Sequence, residues 1–275
     1  EVCVLNTCTV TKHSDAKNRQ VIRTLHRKNP EAIIAVVGCY AQIDPETIAS
    51  IEGVRLVIGS EEKMRITDYL AQAFTQNTPL IIRPKISKNT FTAPVIPHSL
   101  AFLAKNQDKQ IKTVERDSVS TNSELQHPDA SVTREKTRAS LKIQDGCDFM
   151  CSFCIIPFAR GRSRHRDFSN LQEEARMLVQ EGAQEIVITG VNVGTYKTRE
   201  LTIVDVVDFL NTLPGLARIR ISSIEPTTVP ETLFQYMSDP QHKLVPFLHL
   251  PLQSGSDAVL QKMKRCHSAA EYADE

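Results

Sequence analysis

Short apolar runs alternating with amphipathic stretches, in two separate blocks, constrain this chain more than any other feature. In the first block, residues 2–5 read as a strand that exits through Asn6-Thr7-Cys8-Thr9. Residues 13–28 read as a helix, with Val21, Ile22 and Leu25 on its inner face. Lys17, Arg19, Arg23, Arg27 and Lys28 fall on its outer face. A buried-type strand over 32–37 runs into Gly38-Cys39, and a third over 54–58 ends at Gly59 before a helix from about 61 to 74. Such alternation predicts a parallel sheet with helices on its faces. Ligands of parallel sheets gather at the carboxyl ends of the strands. Cys8 and Cys39 both follow such ends.

From about residue 83 to 135 the rhythm stops. Pro84, Pro94, Pro97 and Pro128 punctuate the stretch, residues 95–104 are apolar enough to dock, and 105–131 are polar. It reads as a linker or an insertion. The rhythm then resumes, with strands expected over 141–143, 185–189, 217–222 and 245–250 and helices over 170–181, 202–213, 230–236 and 257–263. Four βα units in a row predict part of a β/α barrel, with its chemistry on the rim where the strands end. The expected fold is therefore α/β: an N-terminal parallel βαβ domain (1–82), a linker or insertion (83–135) and a partial (β/α) barrel (136–275). Four strands cannot close a barrel, and Glu1 stands directly before a strand, so both ends are expected to be truncated.

The loop after the first strand of the second block is Cys147-Asp148-Phe149-Met150-Cys151-Ser152-Phe153-Cys154. Three thiolates at this spacing can hold three corners of a four-iron cluster and leave the fourth iron open to a chelating ligand. A structural zinc knuckle is the competing reading, but it lacks a fourth ligand nearby. Composition limits the setting. Seven cysteines is an odd number, and no apolar run approaches 18 residues. Thiolates used as ligands in a reducing cytoplasm are expected, with neither a disulfide framework nor a membrane span. The net charge of +1 gives no global basic field, so any nucleic-acid contact must come from local patches. Two such patches stand out: the helix over 13–28, and Arg160, Arg162, Arg164 and Arg166 beside the cysteine loop.

The later strand-end loops carry residues suited to a nucleoside cofactor. Gly190 and Asn192 lie in Thr189-Gly190-Val191-Asn192, and a glycine there lets backbone approach a ligand. Ser223 and Glu225 lie in Ser222-Ser223-Ile224-Glu225-Pro226, where hydroxyls and a carboxylate suit ribose. Gln253 lies in Leu250-Pro251-Leu252-Gln253-Ser254-Gly255.

These loops, together with Asn6-Thr7-Cys8-Thr9-Val10-Thr11, Gly38-Cys39-Tyr40-Ala41-Gln42, the three-cysteine loop and Ile155-Ile156-Pro157-Phe158-Ala159-Arg160-Gly161-Arg162, occur in an order that resembles the methylthiotransferase family of radical S-adenosylmethionine enzymes. The Asn-Thr-Cys-Thr-Val-Thr form looks most like the branch acting on N6-threonylcarbamoyladenosine at position 37 of tRNA. That resemblance implies several roles. Cys147, Cys151 and Cys154 would bind a [4Fe–4S] cluster whose open iron takes S-adenosylmethionine, with Phe153 packed at the adenine. Gly190, Asn192, Ser223, Glu225 and Gln253 would contact that cofactor. Cys8 and Cys39 would supply two ligands of a second, auxiliary [4Fe–4S] cluster, the third coming from outside this chain. Sulfur held there would be methylated by one cofactor molecule and delivered to carbon 2 of the adenine, an unactivated C–H position where radical chemistry is needed. Implied partners are tRNA, S-adenosylmethionine and an electron donor such as flavodoxin or ferredoxin. Cys3 is expected to be a packed core thiol and Cys266 incidental. The alternatives are the isopentenyladenosine branch, the branch acting on an aspartate of a ribosomal protein, and a non-catalytic iron–sulfur protein.

Overall fold

The computed structural model describes residues 1–76, 78–95 and 137–274. Its first half is a four-stranded parallel sheet in the order β1 (Val2–Thr7), β2 (Ile33–Gly38), β3 (Val54–Ile58) and β4 (Leu80–Ile82). Alternation along β2 sends Ile34 and Val36 to one face, where they pack with Ile22 of helix α1 (Lys12–Lys28) and Ile48. Ala35 and Val37 face the other way, against Ala73 and Leu70 of the helix Ile66–Thr75. Cys3 packs on the Ile22 side, as expected of a core thiol. Helix α1 starts where the Thr11 hydroxyl accepts the Ser14 N–H at 3.1 Å, and it ends in His26, Arg27 and Lys28, which suit the negative end of its dipole.

The second half holds β5 (Arg138–Lys142), a two-residue ribbon of β6 (Gln144–Asp145) with β7 (Arg164–His165), β8 (Glu185–Thr189), a short hairpin of β9 (Lys197–Thr198) and β10 (Leu201–Thr202), and β11 (Arg218–Ile221). β5, β8 and β11 pair in parallel in the order β11-β8-β5. The helices Phe168–Gln180 and Ile203–Thr212 pack Leu171, Ala175, Val206 and Leu210 against Ile186, Ile188, Ile219 and Ile221 of the sheet.

The strand expected over 245–250 is reduced to two isolated parallel bridges, Ile219 to Leu244 and Ser223 to His249. Pro246 lies within this run and Pro251 directly after it, and a proline has no N–H to give a ladder. Sequence reading also missed two short helices, Cys39–Ile43 and Pro45–Ala49, which turn the chain directly after β2.

Residues 83–95 lie across the second half: the Phe91 N–H donates to His165 O at 3.0 Å, and the Asp167 N–H donates to Phe91 O at 2.9 Å. The expected polar stretch 105–131, and all but the first residue of the expected docked segment 95–104, lie outside the described residues.

Charge pins the starting ends of the three strands. Glu185 at the start of β8 pairs with Arg138 of β5 at 2.9 Å and with Arg218 and Arg220 of β11 at 3.3 and 2.9 Å. Burial alone would raise this carboxyl, but hydrogen bonds and charge from Arg220 and Arg138 outweigh it and hold it below the usual range. A depressed folded value means the contribution is full above the unfolded value of about 4 and fades as pH falls through the lower folded one. Glu185→Gln is therefore expected to cost about 1–2 kcal/mol at pH 7. In urea titrations the gap from wild type should close at strongly acid pH; a gap independent of pH would contradict the assignment.

Candidate functional site at the strand ends

Each half carries a group of thiols just past the ends of its strands. In the second half, Gly146 turns the chain out of β6 with φ +70°, and a Cβ there would collide with the Gly161 and Arg162 carbonyls. The Cys147 N–H then donates to Gly161 O at 3.1 Å, which closes the base of the cysteine loop. Within the loop the Phe149 N–H points at Cys147 Sγ at 3.4 Å, and the Ser152 N–H donates to Met263 O at 3.1 Å. Arg265 Nη1 donates to Cys151 Sγ at 3.4 Å, and the same guanidinium makes a two-pronged ion pair with Glu225. Burial pushes the Cys147 thiol up to about 11, opposed by the Phe149 N–H and reinforced by Cys151, Cys154 and Glu225. The three sulfurs thus share one electrostatic neighbourhood in which added negative charge is unwelcome.

Such a set suits a cation-rich cluster, because bound iron reverses the penalty and holds each thiol as thiolate. Among the described residues no three His, Cys, Asp or Glu side chains converge at the distance of a single metal ion.

The first half contributes Cys8 and Cys39. Gly38 adopts φ +102°, and a Cβ on it would strike Asn6 Oδ1 and Thr7 O, so the exits of β1 and β2 lie against each other. The Cys8 carbonyl is fixed by Asn18 Nδ2 at 2.7 Å and Ser14 Oγ at 3.1 Å. Arg160, from the second half, places its Nε 3.4 Å from Cys39 Sγ. Burial alone would lower the Arg160 guanidinium, but the hydrogen bond and charge of Cys39, with Asp145 and Cys8, outweigh it and raise it. One arginine therefore answers both Cys8 and Cys39.

A cleft of about 220 Å³ lies between the halves, lined by Cys39, Ser60 and Lys63 on one side and Lys142, Asp145 and Gly190 among the residues on the other. Ser60 Oγ donates to Ala159 O at 2.8 Å, and Arg164 pairs with Glu61, so hydrogen bonds and charge tie the two rims together.

The nucleoside-loop residues have distinct environments. Asn192 is buried; its Oδ1 accepts from the Glu225 N–H at 3.3 Å and Thr228 Oγ1 at 3.0 Å, while its Nδ2 has no partner among the described residues. The buried Ser222 Oγ is likewise unpartnered there. Ser223 Oγ lies 3.0 Å from His249 Nδ1. Glu225 is engaged by Arg265. Gln253 is exposed with φ +65°, and Phe153, within the cysteine loop, is 55% exposed. The missing Cβ of Gly190 makes room for Gln144.

Gln144 escaped sequence reasoning. Buried at the start of β6, it accepts the Val191 and Asn192 N–H groups at 2.8 and 3.0 Å and donates to Gly146 O at 2.7 Å, joining the glycine loop to the cysteine loop. Its place one residue before Asp145-Gly146-Cys147 was the available signal. Arg265 and Lys142 were also missed.

The expected arginine patch is corrected. Arg166 is fully buried and paired with Glu174, and Arg164 is buried between Glu61 and Asp145. Neither can meet a phosphate. Arg162 is half exposed beside Asp148. On α1, Lys17, Arg23, Arg27 and Lys28 are exposed, whereas Arg19 donates to Tyr40 OH at 2.6 Å.

Two family models match this chain: the uncharacterized protein family UPF0004 over residues 1–59 and the radical SAM superfamily over residues 141–274. Residues 141–274 belong to the radical SAM superfamily. A threonylcarbamoyladenosine tRNA methylthiotransferase of Bacillus subtilis is 36% identical over all of this chain and 54% of its own length. A tRNA-2-methylthio-N6-dimethylallyladenosine synthase of Novosphingobium aromaticivorans is 32% identical over 99% of this chain and 55% of its own. The chain spans about half the length of the curated relatives it matches. Among solved structures, the radical S-adenosylmethionine methyltransferase TsrM of Kitasatospora setae matches in fold with a TM-score of 0.57 at 11% identity, over 98% of this chain and 52% of that one. Membership of the radical SAM superfamily implies a [4Fe–4S] cluster and S-adenosylmethionine, and the three-thiol loop fits them.

A measurable consequence concerns Arg265. A positive N–H donor at a cluster sulfur favours the more reduced, more negative state. Arg265→Gln is expected to lower the reduction potential of the loop's cluster in a redox titration followed by electron paramagnetic resonance. An unchanged potential would assign Arg265 to packing alone.

Proposed function

We propose that this chain carries the catalytic part of a tRNA methylthiotransferase that adds a methylthio group to carbon 2 of N6-threonylcarbamoyladenosine at position 37. The observation that carries the reading is the cleft between Cys39 of the first half and the strand ends of the second, where Arg160, six residues after the three-cysteine loop, reaches Cys39. Relatives bearing the threonylcarbamoyladenosine name, at 36% and 31% identity over the whole chain, support this branch. The dimethylallyladenosine branch is the second reading, favoured by relatives of that name at 32% and 30%.

In this proposal Cys147, Cys151 and Cys154 hold the first cluster, and Cys8 and Cys39 give two ligands to an auxiliary one. Bound S-adenosylmethionine and its cluster supply one-electron chemistry able to attack an aromatic C–H position. The protein orients. Arg265 fixes Glu225 beside the cluster loop, and Asn192, with a spare buried N–H donor, and Ser222, with a spare buried hydroxyl, would meet the nucleoside at the strand ends. Gln144 keeps the glycine loop and the cysteine loop in register. Phe153 supplies an exposed ring for the adenine. A small electron donor such as flavodoxin or ferredoxin would reduce the cluster in the cytoplasm. Among the described residues no helix is long and apolar enough to cross a membrane.

The test is nucleoside mass spectrometry of tRNA from a strain lacking the full-length gene. Loss of the 2-methylthio derivative of threonylcarbamoyladenosine alone is expected. Loss of the dimethylallyl derivative instead would move the assignment to the second branch, and unchanged levels of both would refute the proposal.

A further inference from the structure

The cleft between the halves has a charge imbalance that the two thiol groups do not use. Three cations line it, Lys63, Lys142 and Arg160, and a fourth, Arg164, joins the lining carboxylate Asp145 to Glu61. Arg164 is buried and ion-paired with Glu61 and Asp145. Arg160 leans on Asp145 at 3.6 Å but gives its Nε to Cys39, whose charge it would balance. Lys142 Nζ holds Asp145 at 2.8 Å. Lys63 makes no ion pair among the described residues and lies close enough to Lys142 for the two charges to repel. With Arg160 assigned to the thiol, three cations face two carboxylates, which leaves one unmatched positive charge on the wall of the cleft.

Burial, with repulsion from Lys63 and Arg160, holds the Lys142 ammonium below its ordinary range in spite of Asp145. A second anion placed between Lys63 and Lys142 would relieve that repulsion. An apolar substituent in the same place would strip water from two ammonium groups and give nothing back.

We infer that Lys142 and Lys63 form a carboxylate-binding subsite in the cleft, and that this subsite reads the single carboxylate of the substrate base's N6 substituent. The inference rests on the threonylcarbamoyladenosine reading: that substituent ends in one amino-acid carboxylate, whereas a dimethylallyl group carries no charge. Lys142 reaches from the end of β5 and Lys63 from the first half, so the substituent bridges the two rims. Specificity comes as much from the unpaired ammonium that a neutral substituent would leave as from the attraction of the right one.

The test uses the full-length enzyme, anaerobically reconstituted, and anticodon stem-loop RNAs. At position 37 these carry threonylcarbamoyladenosine, its methyl ester, dimethylallyladenosine or plain adenosine. Fluorescence anisotropy gives each Kd. Wild type is expected to bind the free acid at least ~10-fold more tightly than the methyl ester, the value of a charge-assisted hydrogen bond in a partly dry site. Lys142→Met and, separately, Lys63→Met are expected to shrink that ratio to about two- or threefold. Unfolding curves and cluster absorbance identify any variant that has merely misfolded, and the ester comparison in wild type needs no variant at all. Preference for the acid over plain adenosine, without preference over the ester, overturns the subsite and leaves the substrate reading standing. Variants that keep the wild-type ratio overturn it too. A wild type that favours the dimethylallyl RNA sinks the substrate reading, and the subsite with it.

Discussion

Replacing Cys151 with Ala is expected to reduce formation of 5′-deoxyadenosine from S-adenosylmethionine to the level of enzyme-free controls. The reason lies in the ligand count of the proposed site: three thiols in the loop would fill three corners of a four-iron cluster, and two could not hold it open for a chelating cofactor. Cys151 is also the sulfur that receives the Arg265 N–H, and Arg265 is tied to Glu225 forty positions earlier. Its loss therefore removes a ligand and unseats the pair beside it. Cys151→Ser tests the chemistry more finely. It keeps nearly the same shape but offers a hard oxygen to iron, and it too is expected to fail. Cys266→Ala is the control, since that thiol is exposed and lies outside both groups; it should retain wild-type iron content and turnover. A Cys151→Ala protein that still cleaves the cofactor would remove the basis for the whole functional reading.

The largest effect on stability is expected at Arg166. Its guanidinium is fully buried; it pairs with Glu174, donates to Asn170 Oδ1 at 2.8 Å and reaches the Lys142 carbonyl at 3.3 Å. Its own carbonyl accepts Tyr196 OH at 2.8 Å. Breaking one side of a buried pair leaves an uncompensated charge and costs about 3–5 kcal/mol. Glu174→Ala is the cleaner probe, because it strands the arginine without opening a large cavity. Arg166→Ala adds a void to the lost pair. For a domain of this size either change is expected to lower Tm by on the order of ten degrees, read by thermal unfolding of the metal-free protein. A shift of only a degree or two would mean that water reaches the guanidinium. Arg166→Met, which fills the space without charge, should recover much of the loss.

The features legible in the sequence were those written in local periodicity. Runs such as Ile33–Gly38 and Val54–Ile58 became the central strands because Val and Ile on both faces fit only a sheet covered on both sides. The three-cysteine spacing and the thiols after β1 and β2 were legible for the same local reason. What escaped was decided by groups far apart in the chain. Arg164 and Arg166 looked like a phosphate patch because the acids that neutralise them, Glu61 and Glu174, are revealed only by folding. Glu225 read as a ribose ligand, and its partner Arg265 lay in a segment without periodicity. Gln144 read as one more polar residue before a motif. Prolines at 246 and 251 account for the faded strand near 245–250, a local signal that was overlooked.

The cluster of Glu185 with its three arginines sits where β5, β8 and β11 begin, and the thiols sit where strands finish. Reinforcement and reactivity are thereby kept at opposite poles of the second half. A protein engineer could harden the Glu185 pole with further charge or tighter packing and leave the reacting pole as supple as its chemistry demands.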